Sequence, residues 1–230
     1  MQKEVSMIGI IAAMDMEVEA IVSLMQAKKH TQHGIDFYEG DLGDKPVVIM
    51  KSGVGKGNAA MSTTILMELY DIDAVVNIGT AGGLKAEQQI LDMVISKRVV
   101  QHDYDTSPID GEEGVGLYFD ADQKMIAYAN QVLQDMDVIT HQGLIASGDQ
   151  FIAQEQQLWV LYQRFPDALC AEMEAGAIAQ VCHHYQIPFV VLRSLSDVAP
   201  QPDSHMDFME YAKKASRRSA QFTLAYMRIL

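Results

Sequence analysis

Three acidic residues lie where a predicted helix begins or a predicted strand ends, and a carboxylate there could transfer a proton. Glu17 and Glu174 lie in the first turns of predicted helices, and Asp197 ends an apolar strand. Two carboxylates in different surroundings can divide general acid and general base chemistry between them. Each position also has an ordinary explanation, because the helix dipole favours a first-turn carboxylate by about 0.3–1 kcal/mol and Asp often caps a turn. Taken singly, these residues do not establish a site.

Two glycine-rich segments could bring main chain close to a ligand. Residues 53–57, Gly-Val-Gly-Lys-Gly, lack the ending of a Walker loop and the spacing of a dinucleotide fingerprint, which disfavours a kinase or a dehydrogenase. A tight turn and a backbone cradle for a sugar or small anion are equal alternatives there. Residues 79–83, Gly-Thr-Ala-Gly-Gly, point more strongly to ligand binding, because small residues admit a ligand and Thr80 adds a hydroxyl.

Other common catalytic patterns are missing from the sequence. The seven histidines show no metal-binding spacing such as His-Glu-x-x-His, and adjacent His183 and His184 would point to different faces of a helix. No serine lies in a Gly-x-Ser-x-Gly elbow. Neither a metal centre nor a serine hydrolase triad is therefore expected.

The elements that must position these residues alternate between strands and helices. Short Val- and Ile-rich runs predict strands over Val5–Met14, Pro46–Ser52, Ala74–Gly79, Asp92–Gln101, Val138–Ser147 and Pro188–Leu195. Amphipathic patterns predict helices over Asp15–Lys28, Asn58–Tyr70, Asp122–Met136, Gln154–Phe165, Glu172–Tyr185 and Asp207–Ile229. Asp36–Asp44 looks like one arm of a hairpin.

This alternation predicts an α/β fold of one domain over residues 1–230, with a central, mixed and largely parallel twisted sheet flanked by helices. In open sheets of this kind, ligands bind where loops leave the carboxyl ends of the strands. The glycine-rich segments, Asp197 and Glu17 all follow predicted strands, so a site is expected at that edge.

Composition narrows the classes of partner. The chain has 230 residues, 49% of them hydrophobic, and carries 17 basic against 31 acidic residues for a formal charge of −14. Such a charge repels phosphate backbones and anionic lipid surfaces, so neither nucleic acid nor a membrane is an expected partner. The simplest explanation of this negative charge is that it keeps the protein soluble.

Cysteine use and apolar runs indicate a cytoplasmic protein. Two cysteines, Cys170 and Cys182, are too few for a disulfide framework. The first apolar run meets Asp15 and Glu17 without a cleavage pattern, and is predicted to be a strand instead of a signal peptide. No apolar run approaches the roughly 20 residues that a membrane span needs.

Six ordered blocks give the chain a specific resemblance. It resembles the 5′-methylthioadenosine/S-adenosylhomocysteine nucleosidases of the nucleoside phosphorylase superfamily over nearly its whole length. The matching blocks are residues 8–14 with Glu17, 51–56, 77–83, 147–152, 172–175 and 193–198. Any one block would be weak, whereas six in order are highly specific.

The resemblance implies a hydrolase that needs no cofactor. By this likeness, Asp197 protonates the departing adenine and Glu17 deprotonates the attacking water. Glu174 would bind the ribose hydroxyls, Met173 would pack beneath the sugar, and Phe151 would stack on the adenine. Other residues implied in substrate binding or support are Ile152, Thr80, Gly82, Met14, Val54, Phe208, Ser196 and Arg193. The likeness further implies a homodimer that acts on a small-molecule nucleoside in methionine salvage.

One segment departs from the family. Many members carry Ala-Phe-Gly-Tyr after a His-Asp pair, whereas this chain continues from His102-Asp103 through residues 104–111 with Tyr-Asp-Thr-Ser-Pro-Ile-Asp-Gly. In relatives this region reaches toward the partner subunit's pocket. The departure therefore bears on the preferred 5′-substituent and on the dimer contact more than on the reaction.

Three alternatives stay open at this point. A purine nucleoside phosphorylase would need cations for phosphate, yet no arginine precedes Arg98, and Asn77 stands where related phosphorylases place one, three residues before Thr80. Lys51 and Lys56 leave a smaller chance for phosphate. A non-catalytic nucleoside-binding protein would not need Glu17 and Asp197. A 6-amino-6-deoxyfutalosine hydrolase would share the adenine and ribose contacts.

Overall fold

Apolar segments rich in Val and Ile form the strands of one ten-stranded mixed sheet in a computed structural model that describes residues 7–198 and 208–230. The strands are β1 (Ile8–Ala12), β2 (Lys28–Gln32), β3 (Ile35–Leu42), β4 (Lys45–Lys51), β5 (Ala74–Gly83), β6 (Met93–Asp105), β7 (Val115–Asp120), β8 (Thr140–Ser147), β9 (Ala168–Glu172) and β10 (Phe189–Val198). The predicted α/β class with a mixed sheet is confirmed.

Helices flank this sheet. They are α1 (Asp15–Val22), α2 (Lys56–Leu69), α3 (Ser107–Asp110), α4 (Gln123–Asp135), α5 (Glu155–Arg164), α6 (Ala175–Tyr185) and α7 (Phe208–Met227), with a 3-10 turn at Gly111–Gly114. None of the helices within the described residues has the length and apolarity to cross a bilayer.

Parallel pairing in the centre of the sheet brings the functional strand ends together. β4, β1, β5 and β10 are neighbours in that order and all run parallel. Their carboxyl ends therefore share one edge. The inner residues of these strands, such as Ile10, Val76 and Val191, are fully buried, as expected for strands covered on both faces.

Half of the sheet closes on itself, which the open-sheet prediction missed. β5 pairs with β10, β10 with β6, β6 with β8, β8 with β9, and β9 again with β5. The closure occurs at the glycine end of β5, where Gly82 pairs with Ala171 on one side and Asp197 on the other. These five strands therefore form a closed ring.

Several predicted boundaries were wrong at this edge. Residues 79–83 and Ser196-Asp197 were expected to follow their strands, but they lie inside β5 and β10. The helix predicted from Glu172 begins at Ala175, because residues 168–172 pair with β8 as a strand. Glu174 is accordingly the residue before the helix instead of a first-turn residue. β2, β7 and β9 were missed.

Gly176 fixes how closely α6 approaches the sheet. A Cβ atom at this position would lie 2.5 Å from Gln101 Cγ and 3.0 Å from Ser147 Cβ. The Gly176 N–H also donates to Ser147 Oγ at 2.8 Å. Glycine therefore seats the amino end of α6, and Glu174 with it, directly against β6 and β8.

We predict that Gly176→Ala lowers the free energy of unfolding by about 1–3 kcal/mol, because the added methyl overpacks this contact. Gly57→Ala in α2 is the matched control, since a Cβ atom there meets nothing within 4 Å. In urea unfolding, the control should be as stable as the wild type or more stable. Equal stability of both variants would contradict the close contact.

Candidate active site

A cavity of about 230 Å³ opens at the carboxyl ends of the parallel strands. Twelve of the thirteen predicted site residues line it. They are Met14, Glu17, Val54, Thr80, Gly82, Phe151, Ile152, Met173, Glu174, Arg193, Ser196 and Asp197. The thirteenth, Phe208, begins α7, but its side chain lies outside the described residues.

Glu17 is held at the start of α1 by main-chain donors. Its Oε2 accepts the N–H groups of Ala13 and Met14 at 3.0 Å each, and its Oε1 accepts the Thr80 N–H at 3.0 Å. The side chain is 2% exposed. Burial raises the pKa of Glu17, while these donors and the charge of Arg193 counteract the rise. A buried carboxylate with a raised pKa suits a general base.

Glu174 accepts a hydrogen bond from the glycine-rich turn of residues 53–57. The Gly55 N–H donates to Glu174 Oε1 at 2.9 Å, joining residues 119 positions apart. Burial and the neighbouring Glu172 charge raise the pKa of Glu174 to about 7. Near neutral pH this carboxyl therefore changes its charge readily.

Glu172 and Arg193 form a buried ion pair that sequence reasoning did not assign. Arg193 Nη2 donates to Glu172 Oε2 at 2.6 Å and to Asn77 Oδ1 at 2.7 Å. Glu172 Oε2 also accepts the N–H groups of Glu174 and Ala175. The pair thus fixes the turn that carries Glu174. A Glu two residues before an implied ribose-binding Glu, together with a buried Arg, was the available signal.

The other carboxylate oxygen of Glu172, Oε1, is buried without a hydrogen-bond donor among the described residues. Glu172 nevertheless lines the cavity. An unpaired buried acceptor is costly in a folded protein. It is therefore available to a hydroxyl group or a water molecule that enters the cavity.

Asp197 is oriented by its neighbour and by the closed end of β5. Ser196 Oγ donates to Asp197 Oδ1 at 2.8 Å, and Asp197 is 3% exposed. A Cβ atom at Gly82 would lie 3.1 Å from Asp197 Oδ2, so the absence of a side chain there leaves room beside this oxygen. Of the two supporting residues, Ser196 contacts Asp197 directly, whereas Arg193 affects Glu17 through its charge.

The cavity has an apolar mouth above a charged floor. Val54 and Phe151 line the cavity and are about half exposed, at 50% and 51%. Glu17, Glu172, Glu174 and Asp197 are each less than a tenth exposed. Among the described residues that line the cavity, Arg193 is the one cation. The floor is therefore acidic and suits a ligand with hydroxyl donors or developing positive charge.

Both lysines that could have bound an anion are engaged elsewhere. Lys51 Nζ lies 2.7 Å from Asp15 Oδ1, and Lys56 Nζ lies 2.5 Å from Asp103 Oδ1. Asn77, in the position where related phosphorylases have an arginine, donates to the Ile11 carbonyl and accepts from Arg193. Within the described part of the chain no group of His, Cys, Asp and Glu side chains is arranged to hold a metal ion.

The segment that departs from the family forms its own small structure. β6 continues to Asp105, followed by α3, the 3-10 turn and β7. Arg164 on α5 bonds to Asp105 at 2.7 Å, and the Ser107 N–H donates to the same carboxylate. Hydrogen bonds from the Ser107 hydroxyl and N–H, together with the Arg164 bond, lower the pKa of Asp105 to about 2. Ile109 at the tip of this segment is 86% exposed.

Comparisons with known proteins agree with this geometry. The sequence model of the family described as Phosphorylase superfamily matches residues 7–228. A 5′-methylthioadenosine/S-adenosylhomocysteine nucleosidase of Oceanobacillus iheyensis is 40% identical over 222 residues, which are 94% of this chain and 96% of that protein.

Solved structures share the fold. The nucleosidase of the same name from Neisseria meningitidis, in complex with methylthio-immucillin-A, superposes with a TM-score of 0.92 at 32% identity, covering 98% of this chain and 100% of that one. A futalosine hydrolase of Helicobacter pylori gives 0.90 at 28% identity, covering 98% and 99%. The chain belongs to the phosphorylase superfamily and, within it, to the 5′-methylthioadenosine/S-adenosylhomocysteine nucleosidases.

Proposed function

We propose that this protein hydrolyses the N-glycosidic bond of 5′-methylthioadenosine and S-adenosylhomocysteine, releasing adenine and the thio-substituted ribose. The observation that carries the proposal is the acidic floor of the cavity, where Glu17, Glu172, Glu174 and Asp197 face Arg193 as the one cation among the described lining residues. Such a floor stabilises the positive charge that develops on ribose as the base departs.

Asp197 is the general acid in this proposal. An adenine anion is a poor leaving group, so cleavage requires a proton on the base. The bond from Ser196 Oγ to Asp197 Oδ1 orients the carboxyl, and Asp197 lines the cavity beside Gly82, which has no side chain that would crowd its Oδ2. Phe151 would stack on the adenine ring, and the main chain of Ile152 would bond to its edge.

Glu17 is the general base that activates water. Its three main-chain donors orient both oxygens, and burial raises its pKa so that it can accept a proton. Thr80 supplies one of those donors from β5, and Gly82 keeps the approach to the sugar open. The proton of the water passes to Glu17 as the oxygen attacks the anomeric carbon.

Glu174 binds the ribose hydroxyls, and Met173 packs beneath the sugar. The ionised carboxylate is the form that accepts two hydroxyl donors. Because the pKa of Glu174 is raised to about 7, this binding is complete above that pH and weakens as the pH falls through it. Met14 and Val54 line the part of the cavity that would receive the 5′-thio group. The family resemblance implies the same role for Phe208, whose side chain lies outside the described residues.

Water is favoured over phosphate by charge. A phosphate dianion beside the anomeric carbon would face Glu17 and Glu174, with Arg193 already bound to Glu172 and Asn77. Bidentate arginine is the preferred clamp for such an anion. Lys51 and Lys56, on either side of the glycine-rich turn, are in ion pairs with Asp15 and Asp103. These features support hydrolysis.

We predict that product formation is independent of phosphate. Purified protein with 5′-methylthioadenosine should release adenine and free methylthioribose at the same rate with and without phosphate, as followed by liquid chromatography. S-adenosylhomocysteine, 5′-deoxyadenosine and 6-amino-6-deoxyfutalosine belong in the same assay, the last because of the structural likeness to a futalosine hydrolase. Phosphate-dependent formation of the 1-phosphate would overturn the assignment.

We predict that Asp197→Asn lowers the rate of adenine release by about 10²–10⁴, since it removes a positioned general acid. The change is nearly isosteric, so thermal unfolding should stay close to that of the wild type. Ser196→Ala is the matched variant, because it removes the orienting donor and keeps the acid. Adenine release by Asp197→Asn at the wild-type rate would refute the role.

We further infer one nucleosidase domain over residues 1–230 that acts as a homodimer in the cytoplasm, in methionine salvage. Large apolar side chains are exposed on three helices, with Met61 at 53%, Ile109 at 86% and Trp159 at 63%. Both cysteines are buried and free, which agrees with a reducing compartment.

We predict a mass of about two chains in solution, because exposed apolar side chains on this scale favour burial in a symmetric interface. Light scattering at micromolar concentration measures it. A mass of one chain across that range would count against the dimer.

A further inference from the structure

Lys56 is the first residue of α2 and makes contacts with two other strand ends. Its Nζ donates to Asp103 Oδ1 at 2.5 Å and to Gln101 Oε1 at 3.3 Å, both near the end of β6. Its main-chain N–H donates to Asp149 Oδ1 at 2.7 Å. Lys56 therefore links the glycine-rich turn of residues 53–57 to the end of β6 and to the loop that follows β8, although it does not line the cavity.

A third bond closes these contacts into a ring, which we call the clamp of Lys56, Asp103 and Asp149. The Asp149 N–H donates to Asp103 Oδ2 at 2.9 Å. Asp103 thus accepts from both other members, and Asp149 supplies the acceptor that caps α2. Although burial works against it, the Lys56 ammonium and the Asp149 N–H lower the pKa of Asp103, which keeps its carboxylate charged.

The clamp holds the residue that donates to Glu174. Gly55 directly precedes Lys56 and has φ of 94°, a conformation that favours glycine. Its N–H points at Glu174 Oε1, and the space beside its Cα is bounded by Asp149 Oδ1 at 3.1 Å from a Cβ position. A shift of Lys56 therefore moves the donor of the Gly55–Glu174 bond.

The charges around Glu174 make that bond important. Burial raises the pKa of Glu174, and the charges of Glu172 and Glu17 add to that rise, whereas Arg193 and the Gly55 N–H oppose it. Arg193 is already bonded to Glu172. The Gly55 N–H is thus a direct hydrogen-bond donor that favours the charged form of a carboxylate otherwise surrounded by acids.

We propose that Lys56, Asp103 and Asp149 are positioning residues that hold the Gly55 N–H against Glu174 and so set the affinity for the ribose end of the substrate. The proposal rests on the proposed function, in which Glu174 binds the ribose hydroxyls. None of the three is a catalytic residue, since each acts through Gly55.

Lys56→Met tests the clamp, because it removes the ammonium but keeps the backbone amide and the Asp103–Asp149 bond. We expect the KM for 5′-methylthioadenosine to rise about tenfold, the usual effect of losing one bond to a charged group. The kcat should change less than about threefold, since neither Asp197 nor Glu17 moves. The acid limb of kcat/KM should shift to higher pH, because Glu174 loses a donor to its charged form.

Adenine serves as the matched ligand, because it lacks the ribose. Its inhibition constant should be the same for Lys56→Met and the wild type. Arg98→Met is the matched variant: it breaks the Arg98–Asp120 ion pair on the same strand β6, away from Gly55. It should leave KM and the pH profile unchanged.

Two further variants distinguish loss of the clamp from misfolding. Asp103→Asn keeps an acceptor oxygen and should raise KM in the same direction by a smaller factor, and Lys56→Arg should restore most of the wild-type KM. An active wild type with unchanged KM and pH profile in Lys56→Met would overturn the clamp. So would a parallel loss of adenine affinity, which indicates general distortion. A wild type that releases no adenine would instead refute the proposed function.

Discussion

The buried pair of Arg193 and Glu172 is the interaction on which the site depends. Arg193 is 1% exposed and extends from β10, while Glu172 ends β9, so their bond links two strands of the closed ring. Leaving either charge unpaired in such a place typically costs about 3–5 kcal/mol. Asn77 on β5 takes the second donor of Arg193. Three strands are thus held in register at the edge where the residues proposed for catalysis emerge.

This pair also makes the acidic floor possible. Without a guanidinium among them, buried carboxylates so close together would raise one another's pKa and bind protons. The charge of Arg193 opposes the burial-driven rise in the pKa of Glu17 and of Glu174. Glu172 is the carboxylate that forms a direct ion pair with Arg193. The floor keeps an excess of negative charge, which favours a cationic sugar and disfavours a phosphate dianion. Specificity for water follows from the same arrangement that holds the strands.

Much of the fold was predictable because the spacing of apolar residues and the residue types at strand ends can be read directly from the sequence. The buried parallel strands and the long amphipathic helices were found, as was the edge that holds the site. β2 was missed because Lys28–Gln32 is mostly exposed and polar, so it lacks an apolar pattern. The closure of β5 onto β9 was missed because its pairing residues, Gly82 and Gly83, look like a loop. Glu172 was overlooked because its importance lies in a partner 21 residues away in sequence.

Burial raises the pKa of both Glu17 and Glu174, and the donors around each carboxylate then distinguish groups that residue type alone does not separate. Glu17 receives three main-chain N–H groups on two oxygens, Glu174 receives one, and Asp197 receives a serine hydroxyl. For Glu17 and Glu174, the main-chain donors oppose the rise in pKa that burial causes, by favouring the charged form. The donors come from the ends of β1, β4, β5 and β10, which parallel pairing places side by side. The different surroundings on which the proposed roles of these carboxylates depend are therefore set by the topology of the sheet.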